Sequence, residues 1–276
     1  MSKTLSLAAA AVICTLASGC INAVTTIRVK PDGSGTIEQT VAMKAEAAEQ
    51  FAQMAAGFGG GAKAGAKAAP PELFSEQEMK DAATKYGEGV TFVSSKPIKT
   101  AEYVGRVATY SFTDITKVRI SEKPPTPKGG MDTPGPKAAP EDVSFKFAKG
   151  AAGDSVVTVV FPEPDLAKKK ADGTAKPKAP AEKPDPQQIA MMKKMFDGMH
   201  IEIGLEVAGT IVKTNSPYVQ GSRVTLLEMD FTQLMNNDAL LSQMGEPDSV
   251  EDAKKLLKDV KGFKINLDKE VSVEFK

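Results

Sequence analysis

Strict alternation of apolar and polar residues in short runs is the feature that most constrains the fold. In the clearest run, IEIGLEV at residues 201–207, an apolar side chain occupies every second position. Successive side chains of a strand point to opposite faces, so this period predicts a strand with one buried and one wet face. Similar runs predict further strands at residues 27–29, 37–43, 90–93, 103–112, 143–147, 156–161, 223–229 and 271–275. Short strands that bury only one face favour an antiparallel sheet.

Turn residues between these runs indicate hairpins. Residues 31–35, PDGSG, place Asp-Gly between two alternating runs, which is a strong hairpin signal. The runs at 143–147 and 156–161 predict a second hairpin. The turn at 215–221 connects the strand at 201–207 to an antiparallel partner.

Segments with a helical period separate the hairpins. Ser75 can cap a helix, Glu78 completes a capping box, Met79 and Tyr86 lie on its inner face, and Gly87 ends it. Further amphipathic helices are predicted at residues 45–58 and 187–199, from Asp230, and from Pro247. The chain is therefore predicted to be α+β, an antiparallel sheet of hairpins with amphipathic helices packed on one face.

Three low-complexity segments interrupt this pattern. Residues 57–71 are rich in Gly and Ala, whereas residues 122–141 and 162–186 are rich in Pro, Ala and Lys. Such compositions lack the apolar surface needed to fold, so we expect flexible, disordered insertions.

Residues 1–20, MSKTLSLAAAAVICTLASGC, have the three parts of a secretion signal. A basic start is followed by an apolar stretch that is too short to span a membrane, and then by small residues ahead of Cys20. This segment resembles the signal of bacterial lipoproteins, in which a peptidase cuts before a cysteine that carries diacylglycerol. The resemblance implies cleavage between Gly19 and Cys20, with acyl chains on Cys20. One position departs from the family pattern, because Ala17 stands where the family prefers Leu.

The lipoprotein resemblance also implies where the mature chain resides. Residues 1–19 would be removed, and residues 20–276 would form a single extracytoplasmic domain held to a bacterial membrane by lipid. In a cell with two membranes we expect the outer membrane, facing the periplasm, because Ile21 is not the aspartate that retains many such proteins at the inner one.

Composition argues against several functional classes. Lys+Arg 35 and Asp+Glu 35 give a formal net charge of zero, which does not favour nucleic-acid binding. With Cys 2 and His 1, a disulfide scaffold or a zinc site built from Cys and His is not expected. His200 adjoins an apolar strand, and no motif for a nucleophilic serine is present. The letters GFGGGA at residues 57–62 match a dinucleotide fingerprint, but they follow a predicted helix rather than a strand, so they are assigned to flexible sequence. We therefore expect a non-enzymatic protein, and a Ser–Lys or paired-carboxylate site assembled from distant segments remains the open alternative.

Four residues of the helix at 187–199 are candidate contacts for an apolar ligand. They share one face of that helix and are Met192, Met195, Phe196 and Met199. Methionine is an adaptable filler of apolar cores, so plain core packing is the first alternative. Thioethers beside His200 also suit Cu(I), but helical spacing explains these residues without a metal, and no metal or other cofactor is predicted.

The signal, the early Asp-Gly hairpin and the sheet-plus-helix body resemble mycobacterial lipoproteins that bind or recycle envelope lipids. The resemblance is architectural, and it implies that the protein binds a lipid or another apolar ligand without catalysis. The alternative is a structural or assembly lipoprotein that acts through protein contacts in the envelope, with the proline-rich segments providing reach.

Overall fold

The computed structural model describes residues 21–49, 74–121, 142–150, 153–162, 190, 193, 196, 198–237, 260–266 and 268–276. Several sequence predictions lie outside these residues: the signal with Gly19 and Cys20, the segments 57–71, 122–141 and 163–186, Met192, Met195, and the helix from Pro247.

The described strands form two sheets, one of eight strands and one of five. In chain order the strands are β1 (Ile21–Val29), β2 (Gly35–Lys44), β3 (Thr91–Lys99), β4 (Tyr103–Phe112), β5 (Arg119–Ile120), β6 (Val143–Lys149), β7 (Ser155–Val160), β8 (His200–Val207), β9 (Ile211–Thr214), β10 (Val219–Gln220), β11 (Arg223–Asp230), β12 (Phe263–Ile265) and β13 (Glu270–Phe275). The first sheet has the order β10-β11-β8-β1-β2-β4-β3, with β12 also paired to β11. The second has the order β5-β6-β7-β13-β9.

The predicted hairpins β1–β2 and β6–β7 and the antiparallel pairing of β8 with β11 are confirmed. The predicted direct turn from β8 to β11 is wrong, because β9 lies between them in the chain and joins the other sheet. The predicted antiparallel sheet is corrected to two sheets, of which the larger is mixed. In it β1 and β8 run parallel, with Asn22 beside His200 and Val29 beside Val207. Alternation shows which face of a strand is buried but not the direction of its neighbour, so this pair was not foreseen.

The described residues are mostly strand, and the helices among them are short. Helix α1 (Glu76–Ala82) continues as a 3₁₀ turn at Ala83–Tyr86, α2 spans Phe231–Met235, and another 3₁₀ turn spans Ile115–Lys117. Residues 45–49 and residues 190, 193 and 196 are also helical. The α+β prediction therefore holds in part, because α1 joins the core while the covering of one whole sheet face by helices is not seen in the described residues.

The capping box at the start of α1 is confirmed. The Ser75 hydroxyl accepts a hydrogen bond from the Glu78 N–H at 3.2 Å, and the Glu78 carboxylate accepts one from the Ser75 N–H at 2.8 Å. At the far end Gly87 has φ 115° and lies so close to the Lys117 carbonyl oxygen that a Cβ would not fit. Both boundaries of this segment thus follow from its local sequence.

The two sheets share one hydrophobic core. Ile27, Val41 and Leu205 of the first sheet and Val157 and Val273 of the second belong to the same buried cluster. Fully burying a side chain of this size stabilises the fold by about 1.5–3 kcal/mol. The apolar half of each alternating strand therefore faces the opposite sheet, which is the arrangement of a two-layer β structure.

Buried polar side chains of β4 attach α1 to this core. The Tyr110 hydroxyl donates to the Met79 carbonyl oxygen at 2.9 Å, and its ring centroid lies 4.8 Å from that of Tyr86. The Arg106 Nε donates to the Phe74 carbonyl oxygen at 2.9 Å. The helix is thus positioned through backbone oxygens at its start and middle.

Candidate apolar site

Four apolar residues gather at one end of the eight-stranded sheet: Phe196, Met199, Phe231 and Phe263, termed the aromatic cluster. The Phe231 ring stacks on Phe196 with centroids 5.4 Å apart and an angle of 21°. Its other side meets Phe263 edge-on at 6.3 Å and 68°. Aromatic pairs in these geometries contribute about 0.5–1.5 kcal/mol beyond their buried area. Phe231 is therefore the centre of the cluster.

Backbone hydrogen bonds fix the chain around Phe231. The Met199 N–H donates to the Phe196 carbonyl oxygen at 3.1 Å, and the Met199 carbonyl oxygen accepts from the Phe231 N–H at 3.0 Å. Gly198, at φ 74°, donates its N–H to the Thr232 hydroxyl at 2.7 Å. These bonds join the segment that enters β8 to the segment that leaves β11.

The cap of α2 and strand β12 complete the site. An Asp230 carboxylate oxygen accepts from the Gln233 N–H at 3.2 Å and so caps the helix predicted from Asp230. The Asp230 N–H donates to the Gly262 carbonyl oxygen at 2.8 Å, and Met229 pairs with Phe263 across the sheet. Phe263 is thereby brought under Phe231 by strand pairing.

The aromatic cluster is an incompletely covered extension of the core. Leu205, further along β8, is 0% exposed and Phe263 is 8% exposed, whereas Phe196, Met199 and Phe231 are half-buried. None of the four side chains can ionise. These four side chains are suited to contact with an apolar group.

The structure brings together part of the predicted contact set and adds to it. Phe196 and Met199 lie in the cluster, while Met192 and Met195 are outside the described residues. The sequence pattern places Phe231 on the helix from Asp230 without a role in the site, and it does not identify Phe263. Its short alternating stretch, Phe263 to Ile265, was the signal that could have indicated β12.

His200 lies beside the cluster on the other face of β8. Its neighbours across the sheet are Asn22 of β1 and Asp230 of β11. The Asn22 side-chain oxygen is buried without a hydrogen-bond partner. Within the described residues, no group of three His, Cys, Asp or Glu side chains is placed to hold a metal ion.

Glu202 and Glu206 on this outer face of the sheet are engaged in ion pairs. A Glu206 carboxylate oxygen lies 3.2 Å from Arg28 Nε, and a Glu202 carboxylate oxygen lies 2.5 Å from Arg223 Nη2. Arg223 also donates to the Thr26 hydroxyl at 3.1 Å. These contacts give the carboxylates a structural role in cross-strand pairing.

No protein-family model and no curated protein matches this chain. Among solved structures, the NMR structure of the folded domain of the Mycobacterium tuberculosis LppM protein aligns with 95% of this chain and 92% of that one, at 8% identity and a TM-score of 0.34. A likeness at that score carries no argument about this protein. In the described part of the chain, no helix has the length and apolarity needed to cross a membrane.

Proposed function

We propose that this protein is a bacterial envelope lipoprotein, tethered by acyl chains on Cys20, that binds the acyl part of a lipid at the aromatic cluster without catalysis. The observation that carries the binding role is that the half-buried Met199 and Phe231 pack against the core at the end of the sheet, and that the half-buried Phe196 stacks on Phe231. In a two-membrane cell we place the protein at the outer membrane, facing the periplasm.

A lipid chain suits this site for physical reasons. Each methylene that moves from water onto the cluster contributes about 0.8 kcal/mol. The Met199 thioether is flexible and polarisable, so it can adapt to chains of different shape. Phe196 and Phe231 are already stacked, so these side chains lose little conformational entropy when an acyl chain binds.

The tether is tested by lipid labelling. Wild-type protein should partition into membranes and incorporate labelled fatty acid, and Cys20→Ala should abolish both because Cys20 is the cysteine at the predicted cleavage site. Cys14→Ala is the matched control and should be labelled normally. Labelling that survives in Cys20→Ala but is lost in Cys14→Ala would assign the lipid to the other cysteine.

Ligand binding is tested on unlipidated Cys20→Ala protein with monomeric short-chain phosphatidylcholine. The thermal midpoint should rise with lipid concentration, as for any ligand that binds only the folded state. Phe231→Ala should lose this rise, whereas Phe147→Ala, which also removes a half-buried phenylalanine, should keep it. Cu(I) serves as a second additive, and a shift with Cu(I) alone would favour a metal site.

Native mass spectrometry of protein purified from membranes separates the two functional classes. A retained lipid supports the binding role. No thermal shift with lipid, together with a retained envelope protein, would reject it in favour of a structural role through protein contacts.

A further inference from the structure

The first strand of the structure starts next to the proposed anchor. β1 begins at Ile21, and consecutive Cα atoms are separated by only about 3.8 Å, so no spacer separates Cys20 from the sheet. β1 has β8 on one side and β2 on the other, which places it inside the sheet. With Cys20 acylated as proposed above, the end of the sheet at which β1 begins is the end next to the lipid anchor.

Strand register places the aromatic cluster at this same end. Asn22 lies beside His200 in the parallel pair, so Met199 is next to Ile21 at one strand spacing, about 4.8 Å. Met229 of β11 pairs with Phe263 of β12. The cluster thus extends sideways from Ile21 across three strand spacings, or about 14 Å.

The other side of β1 carries Lys and Tyr side chains together with the exposed Glu46 and Glu102. Ile21 pairs with Met43, and the next position of β2, Lys44, pairs with Tyr103. Lys99, at the end of β3, is exposed. Tyr and Lys favour the boundary between water and lipid, because each combines an apolar body with a polar end.

The opposite end of the sheet has a different character. There the polar turn at 31–34 joins β1 to β2, and Asp32 accepts two hydrogen bonds from Ser34. β1 has 9 residues, so this turn lies roughly 30 Å from Ile21. The aromatic cluster and the interface residues therefore belong to one end of the molecule.

We infer that this end of the sheet rests on the phospholipid bilayer that holds Cys20, with the aromatic cluster at the boundary between headgroups and acyl chains and β1 pointing away from the membrane. The inference rests on the tether of the proposed function and is independent of ligand binding. Insertion of the half-buried Phe196, Met199 and Phe231 into the bilayer removes apolar surface from water. Because acylated Cys20 directly precedes β1, this surface stays within reach of the lipid.

The chain has Trp 0, so single tryptophans report on lipid contact without background. Phe231→Trp probes the aromatic cluster. Phe147→Trp is the matched control, because Phe147 is also half-buried and packs near Gly33 in the far turn. Each variant is made as the full mature lipidated chain and placed in phosphatidylcholine–phosphatidylglycerol vesicles with or without brominated acyl chains.

Bromine in the acyl chains should remove most of the Phe231→Trp fluorescence and leave that of Phe147→Trp unchanged. Tyr103→Trp provides a second probe at the membrane end, to be used if Phe231→Trp folds poorly. Bromine in the acyl chains should quench its fluorescence as well. Equal quenching at both ends, or stronger quenching of Phe147→Trp, would overturn the orientation.

Two further measurements separate the orientation from the proposed function. Mass spectrometry of the vesicle samples shows whether Cys20 is acylated, and absence of acylation would remove tether and orientation together. With acylation present, loss of the quenching difference contradicts the orientation only. Failure of short-chain lipid to stabilise the Cys20→Ala protein contradicts ligand binding only.

Discussion

The guanidinium of Arg223 lies directly over Gly204, which belongs to the neighbouring strand. A Cβ on Gly204 would come within 2.5 Å of the Arg223 Cζ. Because glycine leaves this space open, Arg223 can contact Glu202 of β8 and reach over β8 to Thr26 of β1. The glycine that interrupts the most regular strand of the chain thus makes room for a side chain that links three strands.

Gly204→Ala should destabilise the protein by about 1 kcal/mol, measured by urea unfolding. The new methyl group displaces the guanidinium, which loses a partly buried ion pair and a hydrogen bond, while the lower backbone entropy of alanine offsets part of the loss. In an Arg223→Ala background the same change should cost nothing. An equal cost in both backgrounds would show that Arg223 is not the cause.

Ser75→Ala should destabilise the protein by about 1 kcal/mol, because the Glu78 N–H in the first turn of α1 loses its hydroxyl acceptor. Ser94→Ala is the control, since Ser94 is exposed on β3 and should change stability by less than about 0.5 kcal/mol. Both free energies come from chemical denaturation. Equal effects would mean that the capping box does not hold the helix in solution.

Stability should fall at alkaline pH because of two buried phenols. Burial raises the pKa of Tyr110 to about 12 and raises the pKa of Tyr86 well above its usual value. In the unfolded chain both phenols ionise near pH 10, so the folded state binds more protons above that pH. The free energy of unfolding should be insensitive to these groups below pH 10 and decline as the pH rises towards 12.

The tyrosine variants identify the source of that decline. Tyr110→Phe removes one raised pKa and should flatten the fall of the unfolding free energy between pH 10 and 12. Urea unfolding at a series of pH values measures this slope. An unchanged slope in Tyr110→Phe would assign the decline to other groups.

Limited proteolysis should cut first within residues 122–141 and 162–186, where composition predicts flexible chain. Shortening either segment by half should change stability only slightly, because loop-closure entropy varies by about 0.6 kcal/mol per doubling of length. Protection of both segments from protease would show that they are packed.

The hairpins and the helix cap could be predicted because their signals are local. The 31–35 turn stands between two alternating runs, and the β1–β2 register follows from it along the full length of both strands. Ser75 and Glu78 are three residues apart and satisfy each other's backbone. In both cases the interacting groups are close in sequence.

β3 was only partly predicted, because an edge strand does not need alternation. The expectation covered residues 90–93, whereas the strand spans Thr91–Lys99. Its register shifts between Phe92 and Ser94, which leaves Val93 56% exposed. Pro97 lacks an N–H to donate, and a strand with one neighbour can tolerate this. Because of the bulge and the proline, the rest of β3 lacks the alternating pattern by which strands are recognised in the sequence.

The site could not be assembled from the sequence because it depends on pairings between distant segments. The parallel contact of β1 with β8 brings Ile21 next to Met199, and the short β12 brings Phe263 to Phe231. Periodicity identified Phe196 and Met199 as apolar neighbours on one helix face. Which strands they would join is a property of the whole chain.

The position of β13 bears on the order in which the protein folds. This strand, Glu270–Phe275, fills the gap between β7 and β9, so Val159 pairs with Val271 from a distant part of the chain. As the chain emerges during synthesis, β7 has β6 beside it but an open edge on its other side. The second sheet can be completed only after residues 270–275 have emerged, so the edge of β7 stays unpaired until the last strand of the chain arrives.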